Sequence, residues 1–174
     1  MANTLYVKRA IADYIIETLG GANGLDGIRV FIRGALPSGM IPQDKYPFCE
    51  VIVAEEVEEE EMTGNYYQQA YTGIITVTIL LTQLAGGDWL EIIGERCARV
   101  PSYDLVEEYV YAMMAELQKS DHKSLGNLTM NDEAVTHFSI VGPRVYGLDQ
   151  GARANSWENF GSIPFEVRTQ RRRD

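Results

Sequence analysis

The chain's 174 residues suffice for one domain with a real core and are too few for two ordinary ones. Its composition, 45% apolar and 23% charged, excludes global disorder and fits a soluble globular protein. A formal charge of −10 argues against a general nucleic-acid grip, because such affinity comes largely from counterion release by Lys and Arg.

The N-terminal residues Met1 to Leu5 carry no basic region leading into an apolar core, so no secretory signal is expected. No apolar run approaches the roughly eighteen residues that span a bilayer. Cys49 and Cys97 are too few for a disulfide framework and are expected to be reduced core residues.

In chain order, Leu5 to Leu19 predicts a helix, with Val7, Ile11, Tyr14, Ile15 and Leu19 on one stripe. Asn3 or Thr4 can cap its start, and Gly20-Gly21 offers a left-handed stop. A short strand follows at Ile28 to Arg33, with Ile28, Val30 and Ile32 set against Arg29 and Arg33. Pro37, Gly39 and Pro42 make Gly34 to Tyr46 a loop.

Between Pro47 and Leu81 lies the most informative segment. Phe48 to Val53 reads as a strand that leads into Glu55-Glu56-Val57-Glu58-Glu59-Glu60-Glu61, and Tyr71 to Thr82 returns in alternation. Tyr71, Ile75, Val77, Ile79 and Leu81 occupy one parity, and Thr72, Thr76, Thr78 and Thr82 the other. A period of two over a dozen residues predicts a strand roughly 40 Å long with one face buried. The pattern is a long hairpin with a charged turn covering about Glu55 to Gln69.

After Gly86-Gly87 the pattern predicts a second helix: Asp88 as N-cap, Glu91 three residues on, and Trp89, Ile92, Ile93 and Cys97 as a stripe ended by Pro101. Another opens at Ser102 or Asp104, with Val106, Val110, Met113 or Met114, and Leu117 facing a core. Lys119 and Lys123 near its end suit the helix dipole. Ser120 to Asp132 is polar and turn-like. Strands are expected at Thr136 to Val141, Arg144 to Leu148 and Ser162 to Thr169, and Asp149 to Gly161 reads as a mobile polar stretch. Clustered strands predict an α+β domain over 1–174: a mixed or antiparallel sheet with helices on one face, a hairpin arm at about 47–82 and a polar C-terminal region at about 149–174.

No residue set spells out a reaction. His122 and His137 lie at no ligand spacing from a cysteine or from each other, and an apolar strand around Cys49 disfavours its thiolate. Gly21, Gly24 and Gly27 follow a helix where a phosphate loop would follow a strand; at Gly86-Gly87 the context fits an anion site, but Asp88 puts a negative charge there. Glu107 with Glu108, and Asp13 with Glu17, are carboxylate pairs on helix surfaces. Trp157, Phe160 and Phe165 read as sheet packing, and Met113-Met114 as core filling. No catalytic, cofactor or metal residue is therefore assigned, and no enzyme activity is expected. The outlying features are two charge blocks, the glutamate run and the arginines Arg168, Arg171, Arg172 and Arg173, which read either as solvated faces or as partners across a subunit boundary.

In order and texture the chain resembles the tail-terminator, or tail-completion, proteins of long-tailed bacteriophages. The resemblance rests on the helix Leu5–Leu19, the strand opening Tyr46-Pro47-Phe48-Cys49-Glu50-Val51, the charged turn before Tyr71-Thr72-Gly73-Ile74-Ile75-Thr76-Val77, the helix near Asp104–Lys119 and the closing strand Ile163-Pro164-Phe165-Glu166-Val167. It implies a structural virion protein, assembled in the host bacterial cytoplasm, that forms a hexameric ring on the tail tube. Such a ring stops tube polymerisation, meets the head–tail connector protein and passes DNA through its lumen, with no cofactor and no membrane. The residues this reading assigns to interfaces are Glu55, Glu56, Glu58, Glu59, Glu60, Glu61, Tyr66, Tyr67, Arg168, Arg171, Arg172 and Arg173. Rival readings are another phage neck or tail-tube component, a cytosolic enzyme, and a nucleic-acid module using the arginine tail.

Overall fold

The computed structural model describes residues 4–63, 66–81, 90–151 and 156–172. The expected contributions of Asn3, Gly86-Gly87, Asp88, Trp89 and Arg173 lie outside them. Helix α1 spans Thr4–Gly20, and its stripe Val7, Ile11, Ile15 and Leu19 is fully buried. Burying four such side chains contributes roughly 6–12 kcal/mol before the entropy of ordering is subtracted. Gly20 ends α1 as a helical residue, and the left-handed backbone comes later, at Gly24, with φ 84°.

Strand β1 (Val30–Arg33) runs parallel to β2 (Phe48–Thr63), which pairs antiparallel with β3 (Tyr66–Leu80). Strand β9 (Trp157–Arg172) lies along the other side of β3, in register from Tyr66↔Arg172 to Leu80↔Glu158. The far edge of β9 is shared by β7 (Glu133–Ile140), which β6 (Thr129–Met130) extends, and by β8 (Val145–Gln150). Among the described residues these seven strands form one sheet, mixed because of β1.

The odd positions of β3 face the helices, as their alternation predicts. Tyr71, Ile75, Val77 and Ile79 join Cys49, Val51, Ile163, Phe165 and Val167 in one core with α1 and α2 (Pro101–Leu117). In β1 it is Phe31 that packs on this core, while Val30 and Ile32 turn to the opposite face. There they meet Ile41, Tyr46, Phe48 and Leu80, so the loop after β1 covers part of the second face.

Several sequence expectations give way. The glutamate run is strand: β2 continues to Thr63, because its backbone groups are paired with β3, and pairing outweighs the modest β-propensity of glutamate. No helix spans Leu90 to Val100. Glu91–Gly94 (β4) and Cys97–Arg99 (β5) form a separate two-stranded hairpin, and Pro101 opens α2 at its first turn, where its missing N–H costs nothing. Cys97 is accordingly exposed on β5, whereas Cys49 is buried as expected, and both are free thiols. Finally, Asp149 and Gln150 belong to β8 and residues 157–161 to β9, which shortens the polar stretch. Helix α2 ends at Leu117, so Lys119 lies beyond it and bonds Glu116 at 2.5 Å.

Candidate functional site

The charged blocks occupy one end of the sheet. Reading across the strands, Glu55 faces Thr72 and Glu166; Glu56 faces Tyr71 and Val167; Glu58 faces Gln69 and Thr169; Glu59 faces Gln68 and Gln170. Glu60 and Glu61 fall in the register shift between Glu59 and Thr63. Arg168, Arg171 and Arg172 sit opposite Ala70, Tyr67 and Tyr66. The hairpin is therefore no free two-stranded arm: β9 accompanies β3 to its end, and Glu133 of β7 pairs with Arg171 beyond it.

The two blocks flank β3 within one chain, two strand spacings or about 10 Å apart. At that separation a pair of unit charges in water attracts by only about 0.4 kcal/mol, and salt reduces it further. Closer contacts exist at single residues. Arg171 lies over the Tyr67 ring at 5.7 Å from its centroid, Arg168 Nε meets Glu166 Oε1 at 2.7 Å, and Glu56 reaches Lys8 of α1 at 3.4 Å.

Beneath this end lies a buried polar cluster that nothing local in the sequence signals. Glu133 is 2% exposed, and its Oε1 accepts hydrogen bonds from the Tyr71 hydroxyl at 3.2 Å and from Thr169 Oγ1. The Tyr71 hydroxyl also lies 3.0 Å from Gln69 Oε1. Burial first, and then the Glu133 carboxylate, push the Tyr71 hydroxyl well above its ordinary titration range, so it stays a donor. Glu133 lies 62 residues from Tyr71, which is why chain spacing could not find it.

Elsewhere His122 and Cys49 are tied into packing. His122 shares a hydrogen bond of 2.8 Å between Nδ1 and the Tyr14 hydroxyl, and His137 is exposed beside the register shift in β7. The Cys49 thiol is pushed up by burial, the reverse of an activated nucleophile. A cleft of about 610 Å³ is lined by Arg29, Asp44, Tyr46, Leu105 and Tyr109 and, among the described residues, by no histidine or cysteine. Among the described residues no group of three or more His, Cys, Asp or Glu is placed to hold a metal ion, and no helix is long and apolar enough to cross a membrane.

No family model matches the chain, and no curated protein matches it in sequence. In fold it is similar to a chain of the virion of a native gene transfer agent particle, at 12% identity and a TM-score of 0.50, over 92% of this chain and 94% of that one.

Proposed function

We propose that this protein is a structural component of a phage-like virion and acts there as a tail terminator: a ring, six copies around, that caps the tail tube, stops its growth and joins it to the head connector. The observation that carries the reading is the likeness, nearly end to end in both chains, to a component of a gene transfer agent particle. A shared fold supports a role by analogy alone, so the reading also draws on this chain's own surface. The charged end of the sheet supports it as well, since it offers unlike charges on the strands either side of β3 to a repeated subunit contact. A structural role also accords with the buried Cys49 thiol and the packed His122.

The test is length control. Tube protein from the same genome, polymerised with and without the purified protein, is imaged and the tube lengths are measured. Tubes that stop growing with a ring at one end support the terminator role. Tubes of unchanged length overturn it, and assembly of this protein alone into open tubes would make it a tube subunit instead.

A further inference from the structure

We propose that the β4–β5 hairpin is a docking arm that seats its apolar side chains in the groove between α1 and the β1–β2 edge of a second copy of this chain. This rests on the ring reading above and supplies its subunit contact. Every residue from Leu90 to Val100 is exposed, with Leu90 and Ile93 at 59% and Ile92 at 76%. The hairpin forms its own two-stranded sheet, apart from the seven-stranded one. Such a hairpin is marginal in water, and adjacent exposed leucine and isoleucines mark a surface that is covered in the assembled state.

The same chain carries a fitting receptor. A groove of about 340 Å³ is lined by the apolar Leu5, Val51 and Val53 and by the basic Lys8, Arg9 and Arg33. Lys8 and Arg33 are already paired, with Glu56 at 3.4 Å and Asp13 at 2.7 Å, whereas Arg9 makes no ion pair among the described residues. On the hairpin, Glu91 is likewise paired, with Arg99 at 2.7 Å, whereas the turn residues Glu95 and Arg96 have no ion pair to another element among the described residues. Among the described residues Arg9 of the receptor offers Glu95 a partner of opposite sign, while Arg96 beside it stays toward solvent; the apolar side chains carry the rest of the contact.

Placement makes the partner a copy and not the same molecule. The groove lies at the β1 edge of the sheet. The hairpin leads directly into α2, whose start is held at the opposite side by Asn159 Nδ2 donating to Ser102 Oγ and by the Tyr103 ring, tilted at 53° with its centroid 5.9 Å from that of Tyr146 on β8. Two different patches at opposite edges make a head-to-tail contact, the kind that closes rings.

The experiment measures the mass of the full-length protein by sedimentation across a concentration series. Wild type is expected to form oligomers, and Ile92→Ser/Ile93→Ser to remain monomeric. Arg9→Glu and Glu95→Arg, each alone, should weaken association about tenfold or more, and the double exchange should restore it. Circular dichroism checks that each variant is folded, which exposed positions favour. Variants that associate like wild type overturn the hairpin contact while leaving the ring reading intact. A wild type that is monomeric throughout also overturns it, because the arm would then serve a different protein; length control of the tube remains a separate measurement.

Discussion

The hydroxyl of Tyr71, at the centre of the sheet on β3, donates to the Glu133 carboxylate on β7 across the intervening strand β9. Thr169 of that intervening strand donates to the same oxygen, so three strands share one buried acceptor. Replacing Glu133 with alanine leaves two hydroxyls without it. The expected cost is about 2–3 kcal/mol, against about 1 kcal/mol for Tyr71→Phe. Thermal or urea unfolding of both variants and of the double variant checks this, with a measurable coupling between the two sites.

At Gly73 β3 leaves no room for a side chain. A Cβ there would stand 2.3 Å from the Ile52 carbonyl oxygen and 2.3 Å from Phe165 Cζ. The carbonyl cannot swing aside without disturbing the β2–β3 ladder. Gly73→Ala is therefore expected to cost about 3 kcal/mol and to lower Tm by roughly 6–12 °C. Calorimetry of Gly73→Ala with and without Phe165→Leu separates the two clashes, and only partial recovery is expected from relieving the ring.

Glu50 gives a pH dependence of defined sign. Burial raises its carboxyl above the ordinary value of 4.5; the Leu36 N–H, 2.9 Å from Oε1, pulls it back, and the Glu158 carboxylate adds to the rise. A raised folded-state pKa means that the native state holds the proton more tightly than the unfolded chain. The associated stability is complete below about 4.5 and is lost as pH climbs through the folded value. Glu50→Gln keeps an acceptor for Leu36 but has no charge to bury. It should be more stable than wild type near pH 7, with the gap closing by about pH 4, in paired denaturant titrations.

The glutamate run is expected to act in assembly more than in folding. Changing Glu58, Glu59, Glu60 and Glu61 to glutamine keeps their strand backbone and removes four charges. The variant should unfold within about 1 kcal/mol of wild type yet impair ring or particle formation, read by particle yield in a complementation assay. Normal particles from this variant would remove the run from the assembly reading.

How far the chain could be read followed from where each structural cause lies. The stripe of α1, the alternation of β3 and the parity of Ile163, Phe165 and Val167 are local periodicities, and all three appear in the fold with the faces they imply. They sufficed for the α+β class and for the two helices on one face. The strand β2 beyond Glu55 and the early start of β9 at Trp157 needed β3 as a template, and no local pattern encodes a template. Leu90 to Val100 misled because its apolar spacing fits 3.6 as well as a hairpin, and Pro101 suits either a helix end or a first turn.

Of the candidate site, composition located the two charge blocks, while their placement on either side of one strand was a matter of register. Gly161 shows the same division. In the sequence it sits in a polar stretch, but in the fold its missing side chain admits Val106 and Val110 of α2, to which a Cβ would come within 2.8 Å and 2.6 Å. The residues alone determined which segments bury a face; only the meeting of segments far apart in the chain decided which face, against what, and how closely, because those contacts depend on distances that no neighbouring residue carries.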